Sequence, residues 1–135
     1  MTAIHRDPAT ISAGELALTA LRDLTPSLVF AAVVTDDGFE LAHVPTSVID
    51  SGRFGSMSSS VQALSEAVSR ELRIGSSEYV IIAAQGGHVV QLRIPDQPLI
   101  LAALFDKRET LGTALSASRR CALTLTAALA DLHTP

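Results

Sequence analysis

The sequence predicts an α/β (α+β) domain with one five-stranded antiparallel sheet in the order 2-1-5-4-3. Helices 1 and 3 are expected on one face and helix 2 on the other. Five short apolar runs are separated by turn signals, and two of them, residues 28–34 and 99–105, contain no polar residue. Strands that are apolar on both faces belong in the middle of a sheet covered by helices. A single domain of 135 residues is long enough to bury such a core.

The first helix is expected to begin at Ser12, because Ser12 and Glu15 have the spacing of a capping box. Thr25-Pro26 should end it. Its predicted apolar face carries Ala13, Leu16, Ala17, Ala20, Leu21 and Leu24.

A hairpin should follow, because Asp37-Gly38 is a strong turn signal between two strand-like runs. The return strand, residues 39–44, contains Glu40 and His43 and stops at Pro45. Charge and proline are the usual protection of an edge strand, so strand 2 is an expected outer strand.

The second helix is expected over about residues 55–73, with Gly75 as its C-terminal stop. Its apolar residues lie within about 60° of one another on a helical wheel, which is typical of a buried face. These residues are Met57, Val61, Leu64, Val68 and Leu72. A stripe of small residues beside them is formed by Ser56, Ser60, Ala63 and Ala67. The outward face should carry Gln62, Glu66, Ser69, Arg70 and Arg73.

Three strands then follow in quick succession, over residues 79–84, 88–94 and 99–105. The turns between them are short, so consecutive strands must be antiparallel neighbours. Asp106 and Glu109 repeat the capping-box spacing before a long helix that runs to about Leu132. Its expected buried face comprises Leu111, Leu115, Ser118, Ala122, Leu125 and Leu129.

The strand at residues 79–84 is an edge in this order, yet it contains no charge, proline or bulge signal. Unpaired edges recruit other chains, so we expect this strand to pair with its own copy across a two-fold axis. Coverage by the loop 45–53 or by the N-terminal tail is the alternative. The expected dimer interface comprises Tyr79, Val80, Ile81, Ile82, Ala83 and Ala84, with Ser56, Ser60, Ala63 and Ala67 from the second helix.

Composition excludes several classes of function. The net charge of −4 and the aromatic content of 4% argue against nucleic-acid binding, and no apolar run is long enough for membrane insertion. One cysteine excludes a disulfide framework. Residues 1–11 resemble no signal peptide, so we expect a cytoplasmic protein with a flexible tail at 1–11 and one domain at 12–132.

No catalytic or metal-binding pattern is present in the sequence. Cys121 flanks the core-facing stripe of the last helix, which is typical of a buried small hydrophobic residue. The histidines, His5, His43, His88 and His133, do not have ligand spacing. We therefore expect no enzyme, no metal and no cofactor.

Residues 12–132 resemble the Roadblock/LC7 family. The resemblance is carried by the hairpin at 32–42, the helix at 57–72, the block at 79–105 and the helix containing Arg119-Arg120-Cys121-Ala122. It implies a profilin-like sheet in the order given above and a homodimer joined through strand 3 and helix 2. It also implies a non-enzymatic regulator or scaffold of a small Ras-like GTPase. Some bacterial relatives are encoded beside a sensor histidine kinase.

On this resemblance the GTPase is expected on the paired helix-2 surface, at Gln62, Glu66, Ser69, Arg70 and Arg73. No arginine stands out as a donated finger, so activator and scaffold both stay open. The alternative function is a PAS-like small-molecule sensor, which uses the same sheet order. Such modules place several short helices between strands 2 and 3, whereas one long helix is expected here.

Overall fold

The computed structural model of the chain describes residues 3–45 and 51–132. His133 and most of the predicted loop 45–53 lie outside the described residues. The elements are a 3-10 helix Ile4–Arg6, α1 Pro8–Leu24, β1 Leu28–Thr35, β2 Glu40–Val44, α2 Ser51–Glu71, β3 Val80–Ala84, β4 Gly87–Arg93, β5 Leu99–Asp106 and α3 Leu111–Leu132.

The five strands form one antiparallel sheet in the order β2-β1-β5-β4-β3, which confirms the predicted order. Short turns determine the β1–β2, β3–β4 and β4–β5 neighbours. The two apolar strands, β1 and β5, pair with each other in the middle and are almost completely buried.

Two hydrophobic layers cover the sheet. The larger one lies between the sheet and helices α1 and α3, and it includes Leu18, Leu101, Phe105 and Leu125. The smaller one lies on the α2 face, where Phe30, Ala32, Val34 and Ile100 pack with the partly buried Phe54 and Leu104. The helices are therefore on the faces that the sequence predicted, but the α2 layer contributes a much thinner apolar core.

The β1–β2 hairpin is closed by a local hydrogen-bond network. The Thr35 backbone N–H donates to the Phe39 carbonyl oxygen at 2.7 Å, and the Thr35 hydroxyl donates to Asp37 at 2.6 Å. Gly38 has a φ of +94°, a conformation that favours glycine. The Asp37-Gly38 turn signal thus produced the predicted hairpin.

The start of α1 differs from the sequence prediction. The helix begins at Pro8, and the Asp7 side chain caps it by accepting the Thr10 backbone N–H at 3.1 Å. Aspartate before proline is a stronger start signal than Ser12, because proline at the first helical position needs no hydrogen-bond acceptor. The predicted start at Ser12, and the prediction of a loose tail over residues 8–11, were wrong.

The start of α3 also differs. Thr110 caps the helix by accepting the Thr113 backbone N–H at 3.2 Å, while Asp106 accepts hydrogen bonds from Arg108 in the preceding turn. The buried side of α3 is formed by Ala114, Ser118, Cys121, Ala122, Leu125 and Leu129. Leu111 is 39% exposed, so its assignment to the core was wrong.

Candidate partner-binding surface

The helix α2 turns its apolar stripe away from the sheet. Leu64 is 66% exposed, and Met57, Val68 and Leu72 are also exposed large hydrophobic residues. Apart from Phe54, which packs on Phe30, the side that meets the sheet is polar or small. Its buried residues are Gly55, Ser58, Gln62 and Ser69. The prediction that the apolar stripe packs on the sheet was wrong. The prediction that Gln62 and Ser69 face outward was wrong for the same reason.

A buried glutamine on β4 explains this rotation. The Gln91 side-chain amide donates to the Ser58 carbonyl oxygen at 2.8 Å and to the Gln62 side-chain oxygen at 3.3 Å. Gln91 is 3% exposed, so its amide would be costly to leave unpaired. An apolar side of α2 placed over Gln91 would remove these partners, which favours the observed rotation.

An ion-pair cluster holds the second half of α2 against the sheet. Arg93 on β4 contacts Glu66 at 3.0 Å and Asp36, beside the β1–β2 turn, at 2.7 Å. Glu66 also accepts a hydrogen bond from Gln62 at 3.1 Å. That bond and the contacts with Arg93 lower the pKa of the Glu66 carboxyl. Burial acts to lower the pKa of Arg93, but its hydrogen bonds to Asp36 and Glu66 raise it. The Glu66 carboxylate is therefore already paired with Gln62 and Arg93 of its own chain.

The first half of α2 touches the β1–β2 turn directly. A Cβ atom on Gly55 would lie 2.6 Å from the Gly38 carbonyl oxygen, closer than real contacts allow. Glycine at position 55 is thus required for this close approach of helix and hairpin.

The strand β3 pairs with β4 and, within residues 3–45 and 51–132, has no neighbour on its other side. Ile82 is 47% exposed and Tyr79, just before the strand, is 39% exposed. Ala83 and Ala84 are exposed, while Val80 and Ile81 are half-buried. The predicted edge position of β3 is confirmed.

Exposed apolar residues of α2 and β3 lie on the same face of the sheet. Ile81 packs towards the α1/α3 core, so the alternation along a strand points Val80 and Ile82 towards α2. We call the resulting apolar area the α2–β3 surface. It comprises Met57, Val61, Leu64, Val68, Leu72, Val80 and Ile82. The small-residue stripe lies beside it, with Ser56, Ser60 and Ala63 exposed and Ala67 half-buried.

Two of the predicted partner-contact residues remain exposed. Arg70 and Arg73 line a shallow depression at the C-terminal end of α2, with Gly75, Ser76 and Ser77 at its other side. The chain turns sharply there, because Arg73 adopts a φ of +55° and Ile74 donates its backbone N–H to the Ser69 carbonyl oxygen. This end of the helix is the exposed positive part of the predicted contact area.

The remaining chemical groups are consistent with packing roles. Cys121 is buried as predicted, and burial raises the pKa of its thiol to about 12. His43 contacts Glu40 at 2.9 Å. In the part of the chain that the structure describes, no group of three or more His, Cys, Asp or Glu residues is placed to hold a metal ion. None of the described helices is both long and apolar enough to cross a membrane.

The connection between β2 and β3 bears on the sensor alternative. In its described residues the helical part is α2, a single helix of 21 residues, and not a series of short helices. This arrangement differs from the one that the PAS-like alternative requires.

The fold resembles solved structures at low sequence identity. A Roadblock/LC7 domain from Streptomyces avermitilis matches with a TM-score of 0.75 at 13% identity, over 89% of this chain and 98% of that one. The gliding protein MglB from Thermus thermophilus matches with a TM-score of 0.79 at 15% identity, over 93% of this chain and 94% of that one. Profilin II from Acanthamoeba castellanii matches with a TM-score of 0.57 at 16% identity, over 84% of this chain and 97% of that one.

No protein-family model and no curated protein matches the sequence significantly. The likeness is therefore one of architecture, carried by the sheet order, the helix positions and coverage of nearly the whole chain. The chain has the Roadblock/LC7 fold, a profilin-like arrangement of three helices around a five-stranded antiparallel sheet.

Proposed function

We propose that this chain is a homodimeric, non-enzymatic regulator or scaffold that binds a small Ras-like GTPase. The observation that carries the proposal is the α2–β3 surface, where an exposed apolar helix stripe lies next to an unpaired apolar strand. Exposed apolar patches bounded by polar residues are typical of protein interfaces.

A two-fold dimer would cover both parts of this surface at once. Two copies of β3 would pair as antiparallel strands and give a continuous ten-stranded sheet, while the two α2 stripes would meet on one face. Each fully buried leucine, valine or methionine contributes about 1.5–3 kcal/mol of hydrophobic free energy. The exposed Leu64, Val68 and Met57 therefore supply a substantial driving force.

The small residues beside the stripe fit the same interface. Ser60 and Ala63 are exposed on α2 and have short side chains, which allow two helices to approach closely. Ser56 and Ala67 extend this stripe in both directions along the helix.

The GTPase assignment rests on the Roadblock/LC7 fold together with the surface that the dimer leaves open. We place the GTPase contact at the C-terminal ends of the paired α2 helices, where Arg70 and Arg73 are exposed. Gln62 and Glu66 instead orient α2 on its own sheet through Gln91 and Arg93, and Ser69 is buried on the same side of the helix. Because GTPases of this class use cytoplasmic GTP, we propose a cytoplasmic location.

Matched leucine substitutions test the dimer. We expect Leu64→Arg to convert the dimer to a folded monomer, measured by sedimentation velocity together with circular dichroism. Leu16→Arg is the control, since Leu16 is 73% exposed on α1, on the other face of the sheet. A dimer that survives Leu64→Arg unchanged would contradict the proposed interface.

Affinity capture tests the GTPase assignment. Small Ras-like GTPases of the source organism, each loaded with GDP or a non-hydrolysable GTP analogue, are captured on the immobilised wild-type protein. We expect one nucleotide state to be retained, and the double variant Arg70→Glu, Arg73→Glu to lose it while staying dimeric. Single-turnover GTP hydrolysis then separates an activator from a scaffold. Failure to retain any of these GTPases would refute the assignment.

A further inference from the structure

The α3 side of β3 carries a second unpartnered apolar area, on the face of the sheet opposite the α2–β3 surface. Tyr79 is 39% exposed and Leu123 on α3 is 63% exposed. Ile81 and Leu115 are half-buried at the edge of the main core. In a single chain this area is open on one side, because β3 is the last strand.

Two arginines supply the charge of this area. Arg119 and Arg120 are the only charged residues between Thr110 and Ala130. The Arg119 guanidinium lies 5.2 Å from the centre of the Tyr79 ring, a cation–π contact that fixes it at the strand. Both arginines are exposed, and among the described residues neither forms an ion pair.

The positive charge here contrasts with the net charge of the whole chain, which is −4. Arg119 and Leu123 line a surface depression beside β4. The exposed carboxylate of Glu78 lines this depression as well. Arg93 also lines this depression, but its guanidinium is already paired with Asp36 and Glu66. Arg119 and Arg120, which line one surface with Leu115 and Leu123, outnumber the carboxylate of Glu78. The net charge of this area is therefore positive, and a complementary ligand is acidic.

The proposed dimer would turn this open area into a cleft. Pairing of β3 with its copy would place two copies of α3 on the same face, with the two β3 strands as the floor between them. Strands lie about 4.8 Å apart, and α3 packs over β4 and β5, so the two α3 axes would be separated by about four strand spacings, roughly 19 Å. Packed helices are about 8–10 Å apart, so this width accommodates one additional helix.

We propose that this α3 cleft, formed by Tyr79, Ile81, Leu115, Arg119 and Leu123 of both protomers, binds one acidic amphipathic helix of a partner protein. The apolar side of that helix would cover Ile81 and Leu123, and its carboxylates would meet Arg119 and Arg120. The inference rests on the proposed dimer, but it concerns the face opposite the proposed GTPase contact.

A helix is favoured over a lipid surface as the occupant. The cleft is narrow and lies between two α3 helices, so a flat bilayer cannot reach its apolar floor. The net charge of −4 also opposes adsorption of the whole protein to an anionic membrane.

A synthetic peptide tests this cleft on the wild-type dimer. The probe is a fluorescein-labelled helix of about four turns with leucine at positions i, i+3, i+4 and i+7 and glutamate at most others. Binding is followed by fluorescence anisotropy, with the oligomeric state of the same sample measured by light scattering. We expect saturable binding of one peptide per dimer, and no binding of a peptide of the same composition with its leucines dispersed around the helix.

Matched arginine substitutions locate the binding. Arg119→Glu should weaken the peptide about tenfold, a change equivalent to about 1.4 kcal/mol. Leu123→Glu should abolish saturable binding, whereas Arg22→Glu, an exposed arginine on α1, should leave it unchanged. Both cleft residues are exposed, so these variants should fold and remain dimeric.

The outcomes separate the two proposals. A dimeric wild type that binds no acidic peptide, or that binds a lysine-based peptide equally well, overturns the cleft alone. Equal binding by Arg119→Glu, or displacement of the peptide by phosphatidylglycerol vesicles, also overturns it. A monomeric wild type overturns the dimer and the cleft that depends on it.

Discussion

Gln91 and Arg93 lie two residues apart on β4, so both side chains point to the α2 face of the sheet. Their polar groups need partners, which Ser58, Gln62 and Glu66 supply from α2. The sequence contained this signal, because two polar residues at alternate positions of a strand, Gln91 and Arg93, indicate a polar layer above that face. Gln91 and Arg93 therefore predict that the polar side of α2, and not its apolar stripe, packs on the sheet.

The hydrogen bond from Gln62 and the ion pair with Arg93 stabilise the charged form of Glu66, which predicts an acid-dependent loss of stability. The folded pKa of Glu66 lies below its ordinary value of 4.5, so the folded state binds fewer protons than the unfolded state in that range. The contribution is present above the ordinary pKa and is lost as the pH falls through the folded pKa. Because the pair is partly exposed, the contribution is under about 1 kcal/mol.

Urea denaturation of the wild type and Glu66→Gln at a series of pH values measures this effect. The wild type should be more stable at neutral pH, and the difference should vanish on acidification. A difference that stays constant down to the most acidic sample would contradict a role for the Glu66 charge.

The buried thiol predicts low chemical reactivity. Burial raises the pKa of Cys121 to about 12, so the thiol is protonated at neutral pH and its sulfur lies within 3.5 Å of the Ala17 carbonyl oxygen. We expect iodoacetamide to label Cys121 slowly in the folded protein and rapidly in urea, as followed by mass spectrometry. Equal labelling rates in the two states would contradict this packing role.

The elements differ in how well the sequence predicts them. Strand positions and three of the four strand pairings follow from short turns such as Asp37-Gly38, because a short turn makes consecutive strands antiparallel neighbours. The fourth pairing, between β1 and β5, follows from the apolar character of both strands. Helix starts are less well determined, since Asp7 and Ser12 both have side chains that can cap a helix. The rotation of α2 could not be derived from its own periodicity, because an apolar stripe shows that a face is covered without showing what covers it.

The contact between α2 and the hairpin predicts opposite effects of two glycine substitutions. Gly55→Ala should destabilise the fold by about 1–3 kcal/mol, because the new Cβ would clash with the Gly38 backbone. Gly112→Ala, on α3, meets no atom within 4 Å and should be neutral or stabilising by up to about 1 kcal/mol. Thermal unfolding followed by circular dichroism compares them, and an equal effect of both would contradict the close approach at Gly55.

At the scale of the whole molecule, the two faces of the sheet are covered through different kinds of contact. The α1/α3 face holds the main hydrophobic core, while the α2 face is held by polar contacts and keeps its apolar residues exposed. The single chain buries its main core completely, but it leaves the leucines of its second helix exposed to solvent. The proposed self-association through α2 and β3 would cover these exposed residues, and it would leave the C-terminal ends of α2 and the proposed α3 cleft for other proteins.

Hydrogen exchange of residues 79–84 in the wild type tests the β3 pairing most directly. In a single chain only the amides that face β4 are hydrogen-bonded, and those on the open edge exchange freely. We predict that the open-edge amides are protected as well, and that this protection decreases on dilution and is absent in Leu64→Arg. Fast exchange of these amides at every protein concentration would contradict the dimer.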